Sequence, residues 1–455
     1  MVVLEVSRDE MAKWDLLTAK CLFFCNAMSS VGWSRFQNNF YLNQGLSAAE
    51  IGTLKSIGLL LKFVGEPLWC VIADTTSIQV VFGMCMFMQI LTMELMRTTI
   101  PLTYDTLLLI KVLRTSTAPS STLTTTTSYQ LTQGTNEGYG KQRMYGSLAW
   151  GTGASIVGLL IDLYGMQALF FYTYFFNFIN FFMICVGLRY NGKDRAIKSI
   201  GTSEGEVKSV NVSGQSLRAA LKSTFNSIIV YTTTLRQFLA HNSCRVVIIN
   251  ALVYGIVMTV PDTFLFISVE KDLGASRSFT GILTTTSILA CLPLFYHSDA
   301  LIAKYGHFKM ILVSQQLCVL RLLMYALIPS NLGKKMSLGL ILIISLIHGV
   351  NFALFWSAVV DTMYILSGNI TEYHLVNCSP SLLFTDYCGS TRSGGDLKAS
   401  FMAALNLSFF TLGGAVGNAL WGYLYTLFGG IFYVYILGAV VLFANTRYFE
   451  MHKVS

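Results

Sequence analysis

Long apolar runs alternate with short polar punctuation along this chain, and a membrane-crossing helix needs about 20 such residues. With turn residues as boundaries, the pattern predicts spans at 16–38, 51–73, 79–97, 103–127, 144–162 and 167–188. A second set follows at 246–267, 279–297, 309–328, 337–360, 400–423 and 431–446. The fourth is the most polar, since TYDTLLLIKVLRTSTAPSSTLTTTTS is rich in hydroxyls and carries Lys111 and Arg114. It reads as a loop or as a helix with one face on a polar cavity, and the helix preserves the count of twelve. The predicted fold is therefore all-α, with twelve transmembrane helices in two six-helix halves, 16–188 and 246–446. Residues 1–15, the linker 189–245, an insertion at 365–398 and the tail 447–455 lie outside the spans. Part of the linker, 216–239, reads as an interfacial helix offering Arg218, Lys222 and Arg236 to lipid phosphate, or as a solvated connector.

Composition agrees with a lipid environment. Of 455 residues 53% are hydrophobic and only 12% charged, about half the charge of a soluble domain, and the mean hydropathy is +0.57. Ten cysteines without a framework exclude a disulfide-stapled secreted domain. Residues 1–15 mix both charges and lack a small-residue cleavage site, which predicts no targeting peptide. The net charge of +8 is concentrated on one side of the predicted spans. With both termini cytoplasmic, inner segments hold nineteen Lys and Arg against five outside, a positive-inside bias rather than a nucleic-acid surface. The insertion is then cytoplasmic, so Cys378 and Cys388 are expected as free thiols. The sequons at Asn211, Asn369 and Asn377 fall on the same inner side, where glycosylation is not expected.

The two halves repeat each other. Gly45-Leu-Ser-Ala-Ala-Glu-Ile-Gly52 matches Gly274-Ala-Ser-Arg-Ser-Phe-Thr-Gly281, and Pro67-Leu-Trp with Asp74 matches Pro293-Leu-Phe with Asp299. Gly158 to Tyr164-Gly165 matches Gly422 to Phe428-Gly429. Three such pairs in order indicate duplication, and a duplicated membrane chain with a basic central loop reads as a secondary transporter.

The segments FYLNQGLSAAEIG (40–52), PLWCVIAD (67–74), YGKQRMYGSLAWG (139–151), FLFISVEKDLGAS (264–276), YHSDALIAKYGHFK (296–309), HGVNFALFWSA (348–358) and GGAVGNALWGYLYTLFGG (413–430) resemble the major facilitator superfamily. The likeness is to its associated-domain (domain-containing protein 6-like) branch, which is similar to the lactose and nucleoside proton symporters. It covers most of the chain outside 190–240 and 365–398. The resemblance implies alternating access, an inner gate braced by the loop after the second span, and a cationic residue in the fourth. Here that loop runs Cys70-Val-Ile-Ala-Asp74-Thr-Thr-Ser. Asp74 is present, but the usual glycine and nearby positive charges are missing, which leaves Asp299 with Lys304 and Lys309 as the stronger inner-gate candidate.

Charges inside spans cost several kcal/mol unless they pair, snorkel or face water. Lys55, Lys62 and Glu66 share a broad helical face, and Lys62 and Glu66 are spaced to pair. Glu66 is a candidate proton carrier or half of a structural pair. Lys111 and Arg114, three apart, are expected to meet substrate or a structural partner such as Asp105. An anionic solute would favour the planar fork of Arg114. Arg35 and Asp262 hold roughly equivalent positions in the two halves and are candidates for an outer gate, against interfacial snorkelling of Arg35. His348, with Asn351 beside it, is a candidate for proton exchange, and Asn26 for a substrate hydrogen bond or a helix–helix contact. Glu94, Arg97 and Arg321 lie in spans that the resemblance places peripherally, so a structural or snorkelling role is expected. Gly146, Gly151, Gly153 and Gly158, with Gly413, Gly414 and Gly417, are expected to let helices approach closely.

No phosphate loop, dinucleotide fingerprint or metal-binding spacing is present in the sequence, so neither an enzyme nor a cofactor is expected. The leading reading is a transporter of a small polar solute (sugar, nucleoside, amino acid or organic anion) for which coupling to protons is expected, with membrane lipid as its surroundings and no nucleic-acid partner. A receptor or scaffold that kept the fold without turnover is the alternative. The charge bias makes a direct prediction. An impermeant thiol reagent outside sealed cells should label Gln44→Cys and miss Ser203→Cys; labelling of Ser203→Cys would overturn the topology.

Overall fold

The computed structural model describes residues 8–75, 78–98, 103–116, 124, 139–200, 241–328, 332–377 and 404–452, and the regular structure there is helical. The helices are α1 (Arg8–Asn43), α2 (Ala48–Thr75), α3 (Ile78–Thr98), α4 (Tyr104–Ser116), α5 (Tyr139–Tyr164) and α6 (Gln167–Ile200). They continue with α7 (Asn242–Lys271), α8 (Arg277–Tyr296), α9 (Ser298–Tyr305), α10 (His307–Ala326), α11 (Lys334–Asn377), α12 (Gly414–Phe428) and α13 (Phe432–Met451). Two π turns interrupt the regularity, Val260–Phe264 inside α7 and Leu407–Gly413 leading into α12.

Each predicted span falls on a helix where it is described, with shifted ends. The helix of the sixth span continues to Ile200 rather than ending at 188, and that of the tenth continues to Asn377. Among the described residues, eight helices are long and apolar enough to cross a membrane: α3, α5, α6, α7, α8, α10, α11 and α13. The expected twelve exceed this number for physical reasons. α1 and α2 carry several charges, α4 has 13 described residues, and α12 has 15 after its π turn. The interfacial segment 216–239, Asn211, Cys378 and Cys388 lie outside the described residues.

The chain divides into two compact units. Unit 1 comprises residues 1–46, 61–226 and 274–288; unit 2 comprises 47–60, 227–273 and 289–455. In unit 1, α1 packs on α5 and α6, and α3 on α6. Ala19, Leu22, Val81, Phe82, Cys85, Met86 and Ile184 form a buried cluster there, with Trp69, Ile72 and Met183 against it. In unit 2, α10 packs on α11 and α13, and α7 on α12, α13 and the second π turn. Outward-facing apolar side chains such as Phe171, Phe175 and Phe178 in unit 1, and Leu420, Tyr423 and Leu427 in unit 2, are exposed, as lipid-facing surfaces are.

The expected close approaches occur within each unit. In unit 1 a Cβ on Gly158 would collide with the Arg277 carbonyl oxygen, and one on Gly281 would lie 2.5 Å from that of Ala154. In unit 2 the same relation joins Gly422 to Ala48 O at 2.8 Å, and a Cβ on Gly52 would collide with Asn418 O. Only hydrogen fits in such spaces. The glycines matched in the sequence thus sit at two crossings, α5 with α8 and α2 with α12.

Candidate functional site

Unit 2 brings together three ionisable side chains from three helices. Pro261 has no amide hydrogen to continue the α-helical ladder, and α7 widens there into the π turn Val260–Phe264, a feature frequent at functional sites. Asp262 sits in that turn with its side chain 43% exposed. Arg321 of α10 is wholly buried, at 0% exposure. Its Nη1 hydrogen-bonds His348 Nδ1. Its Nη2 donates to Met258 Sδ at 3.8 Å and to Cys318 Sγ at 3.7 Å. The other ring nitrogen, His348 Nε2, lies 3.3 Å from Asp262 Oδ1.

This geometry determines where the imidazole proton resides. A guanidinium has donors only, so His348 must present a lone pair on Nδ1 and carry its proton on Nε2. That proton points the ring's donor at the Asp262 carboxylate. A second proton cannot enter at Nδ1 while Arg321 occupies it. Beside Asp262, Lys55 Nζ donates to Thr263 Oγ1 at 2.8 Å, and Thr263 donates to Asn418 Oδ1 at 2.9 Å.

A buried polar cluster lies on the same helices together with α13. Gln315 Nε2 donates to Asn250 Oδ1 at 2.7 Å, and Thr446 Oγ1 donates to Gln315 Oε1 at 3.0 Å. Asn351 is 0% exposed. Its carbonyl accepts from Ser314 Oγ at 2.7 Å, while its side-chain amide has no hydrogen-bond partner among the described residues. Burial without a partner is costly, so such a group favours a bound water or solute.

Unit 1 assembles cations against aromatic rings. Arg114 of α4 lies over the Trp33 ring at 4.7 Å, and Arg35 of α1 over Trp150 at 5.8 Å, both within cation–π range. Lys111 Nζ donates to Gln37 Oε1 at 3.1 Å, while Asp105 is exposed in the first turn of α4. Asn26 Oδ1 accepts from Asn180 at 3.4 Å, a helix–helix contact. Glu94 binds Arg97 and accepts from Tyr174 at 2.7 Å.

The remaining predicted residues are spread more widely. Lys62 is half-buried on α2 in unit 1. Glu66 and Asp74 belong to α2, but their side chains lie outside the described residues. Asp299 is exposed in the first turn of α9, and Lys304 and Lys309 both approach the Tyr305 ring, at 5.2 and 5.8 Å. Asp262 and His348, singled out for separate tasks, are neighbours. Arg321, expected in a structural or snorkelling role, is the buried centre of the group. A lone cation in mid-span needs a partner, and that cost was the signal in the sequence. No group of three or more His, Cys, Asp or Glu suited to a metal occurs among the described residues.

The sequence profile of the MFS_1 like family matches residues 19–375. A search of curated protein sequences returns no match. Among solved structures, the crystal structure of the nucleoside transporter NupG aligns with a TM-score of 0.65 at 14% identity, over 96% of this chain and 98% of that one. A point mutant of the same transporter gives the same score and identity over 96% and 99%. At this identity the likeness is one of fold.

The buried guanidinium makes the site testable by stability. His348→Ala strips the Arg321 guanidinium of its nitrogen acceptor and should cost about 3 kcal/mol, as leaving a buried charged donor unsatisfied does. Arg321→Met with His348→Leu should recover most of that loss in a thermal melt. A double variant as unstable as the sum of its single changes would show that the two side chains do not act as a pair.

Proposed function

Because the chain belongs to the MFS_1 like family, we propose that it is a secondary transporter moving a small polar solute by alternating access, coupled to protons through Asp262 and His348. Multi-pass membrane architecture and general secondary transport follow from the family and fold. The proposal extends them to twelve spans in two six-helix halves with both termini cytoplasmic, for which the repeat and the charge bias are the support. Kinship with the associated-domain branch belongs to the same reading and rests on the motifs alone.

One observation carries the coupling: His348 bridges the wholly buried Arg321 and the half-exposed Asp262. Arg321 holds the ring neutral, with Nε2–H toward the carboxylate. When Asp262 takes a proton, its attraction for that donor weakens, and the π turn that carries it loses one tie to α11. Proton occupancy is thereby linked to the shape of α7, a helix already broken at Pro261. The chemistry here is proton transfer between bound groups and water; no covalent step is required of the chain.

A nucleoside is the first solute to test, since NupG is titled a nucleoside transporter. The cations over Trp33 and Trp150 favour an anionic solute as the second class. The alternative of a non-transporting receptor or scaffold draws on two features, the absence of basic residues after Asp74 and the insertion at 365–398.

Reconstituted protein decides between these readings. In proteoliposomes an inward proton gradient should accelerate solute uptake, with proton movement stoichiometric to flux. Asp262→Asn should abolish gradient-driven uptake and retain solute exchange, and His348→Gln should shift the pH dependence of uptake. Flux with no proton movement would remove the coupling, and absence of flux for every solute class would favour the scaffold.

A further inference from the structure

Asp162 lies in the last turn of α5 in unit 1, and its carboxylate receives the first amides of α8, in the same unit. Arg277 N donates to Asp162 Oδ1 at 3.0 Å and Ser278 N donates to Oδ2 at 2.7 Å. The next amide, Phe279 N, is capped by Ser276 Oγ at 3.2 Å. The first amides of a helix have no partner within it and carry the positive end of its dipole. One carboxylate from another helix therefore satisfies two of them.

The repeat supplies an internal comparison. Counting from Gly158 and Gly422, Asp162 corresponds to Thr426; counting from Gly274 and Gly45, Ser278 corresponds to Ala49. In unit 2, Ala49 N donates to Thr426 Oγ1 at 3.0 Å, while that hydroxyl donates to Gly422 O at 3.1 Å. The contact is the same with its charge removed. α2 instead carries its acid in its own first turn. Ser47 N and Oγ both donate to Glu50 Oε2, at 2.7 and 2.8 Å, and Glu50 N donates to Ser47 Oγ at 3.3 Å, a capping box. Position 279 in α8, equivalent to Glu50, is a phenylalanine. Each helix start thus has one carboxylate, supplied in cis for α2 and in trans for α8.

The difference matters when the crossing helices part. α2 keeps its acid if it leaves Thr426, because Glu50 travels with it. α8 exposes two amides and loses its counter-charge if it leaves Asp162. We propose that Asp162 is a carboxylate latch on the α5–α8 crossing, and that Thr426 is its weaker neutral counterpart on α2–α12, so that the α5–α8 crossing is the harder of the two to open. This rests on the alternating-access reading, in which such crossings separate during the cycle. The glycines that bring the backbones together supply the close approach, and the carboxylate supplies the tie that only the closed arrangement can make.

The reporter is Ser155→Cys, since Ser155 Oγ lies 2.7 Å from Thr285 Oγ1 within this crossing. Its labelling by an impermeant maleimide, applied to the outer face of right-side-out vesicles, reads the fraction of time that the crossing is open. Asp162→Asn, which keeps the shape and one acceptor oxygen, should raise the labelling rate about fivefold, the change expected from losing a helix cap of ordinary strength. Asp162→Ala should raise it at least as much, Thr426→Ala by less than about twofold, and Asp105→Asn, an exposed carboxylate elsewhere in unit 1, not at all. Equal rates for Asp162→Asn and the unaltered protein would overturn the latch even if Asp162→Ala fails to fold. So would a Thr426→Ala effect as large as that of Asp162→Asn. Solute flux measured on the same vesicles separates the two claims. Flux with unchanged labelling removes the latch alone, and raised labelling without flux supports the latch and removes transport.

Discussion

A guanidinium in the middle of an apolar helix has to be matched before the protein can close around it. Arg321 is fully enclosed in unit 2, and its desolvation would cost several kcal/mol without partners. The surroundings answer with one nitrogen lone pair and two sulfurs rather than a carboxylate in direct contact, while the Arg321 Nε has no hydrogen-bond partner among the described residues. Imidazole is the strongest acceptor of the three, so His348 is held in one tautomer. Its remaining N–H then faces Asp262, which the π turn at Pro261 carries half into the open. The buried charge thus reaches the exposed carboxylate through a ring that relays position and excludes a second proton.

The helical framework was legible because lipid imposes a simple rule: apolar runs of sufficient length, broken by glycine and polar residues. The repeat was legible too. Gly158 and Gly422, or Gly52 and Gly281, match in sequence and then occupy equivalent crossings. The two π turns were hidden. Pro261 signals a break, but nothing in a hydropathy pattern distinguishes a kink from a widened turn, and Leu407–Gly413 contains no proline at all. For Arg321 a structural or a snorkelling role was open; its charge called for a partner, but the identity of that partner, His348, is set by packing. Asp262 and His348 stand 86 positions apart, and pairing across such a distance is a property of packing rather than of pattern.

The two units differ in where they place charge. Within unit 1, Arg35 and Arg114 lie over indole rings, and the helix start of α8 borrows the carboxylate of Asp162. Within unit 2, an arginine is buried against histidine, and the helix start of α2 carries its own acid at Glu50. The glycine crossings are preserved in both because backbone approach admits no alternative residue. Polar chemistry is freer to change, provided that each buried group keeps a partner. Asn351, whose amide has none among the described residues, marks the place in unit 2 where a bound water or solute would satisfy the structure most.

The state of one imidazole tests this account most directly. Nitrogen-15 spectra of histidine-labelled protein in lipid, with His348 assigned by its loss in His348→Gln, report the protonation of each ring nitrogen separately. At neutral pH the account predicts a neutral ring with hydrogen on Nε2 and a hydrogen-bonded lone pair on Nδ1. That lone pair should lose its bond in Arg321→Met. An imidazolium at His348, or a neutral ring protonated on Nδ1, would contradict the contact on which the site depends.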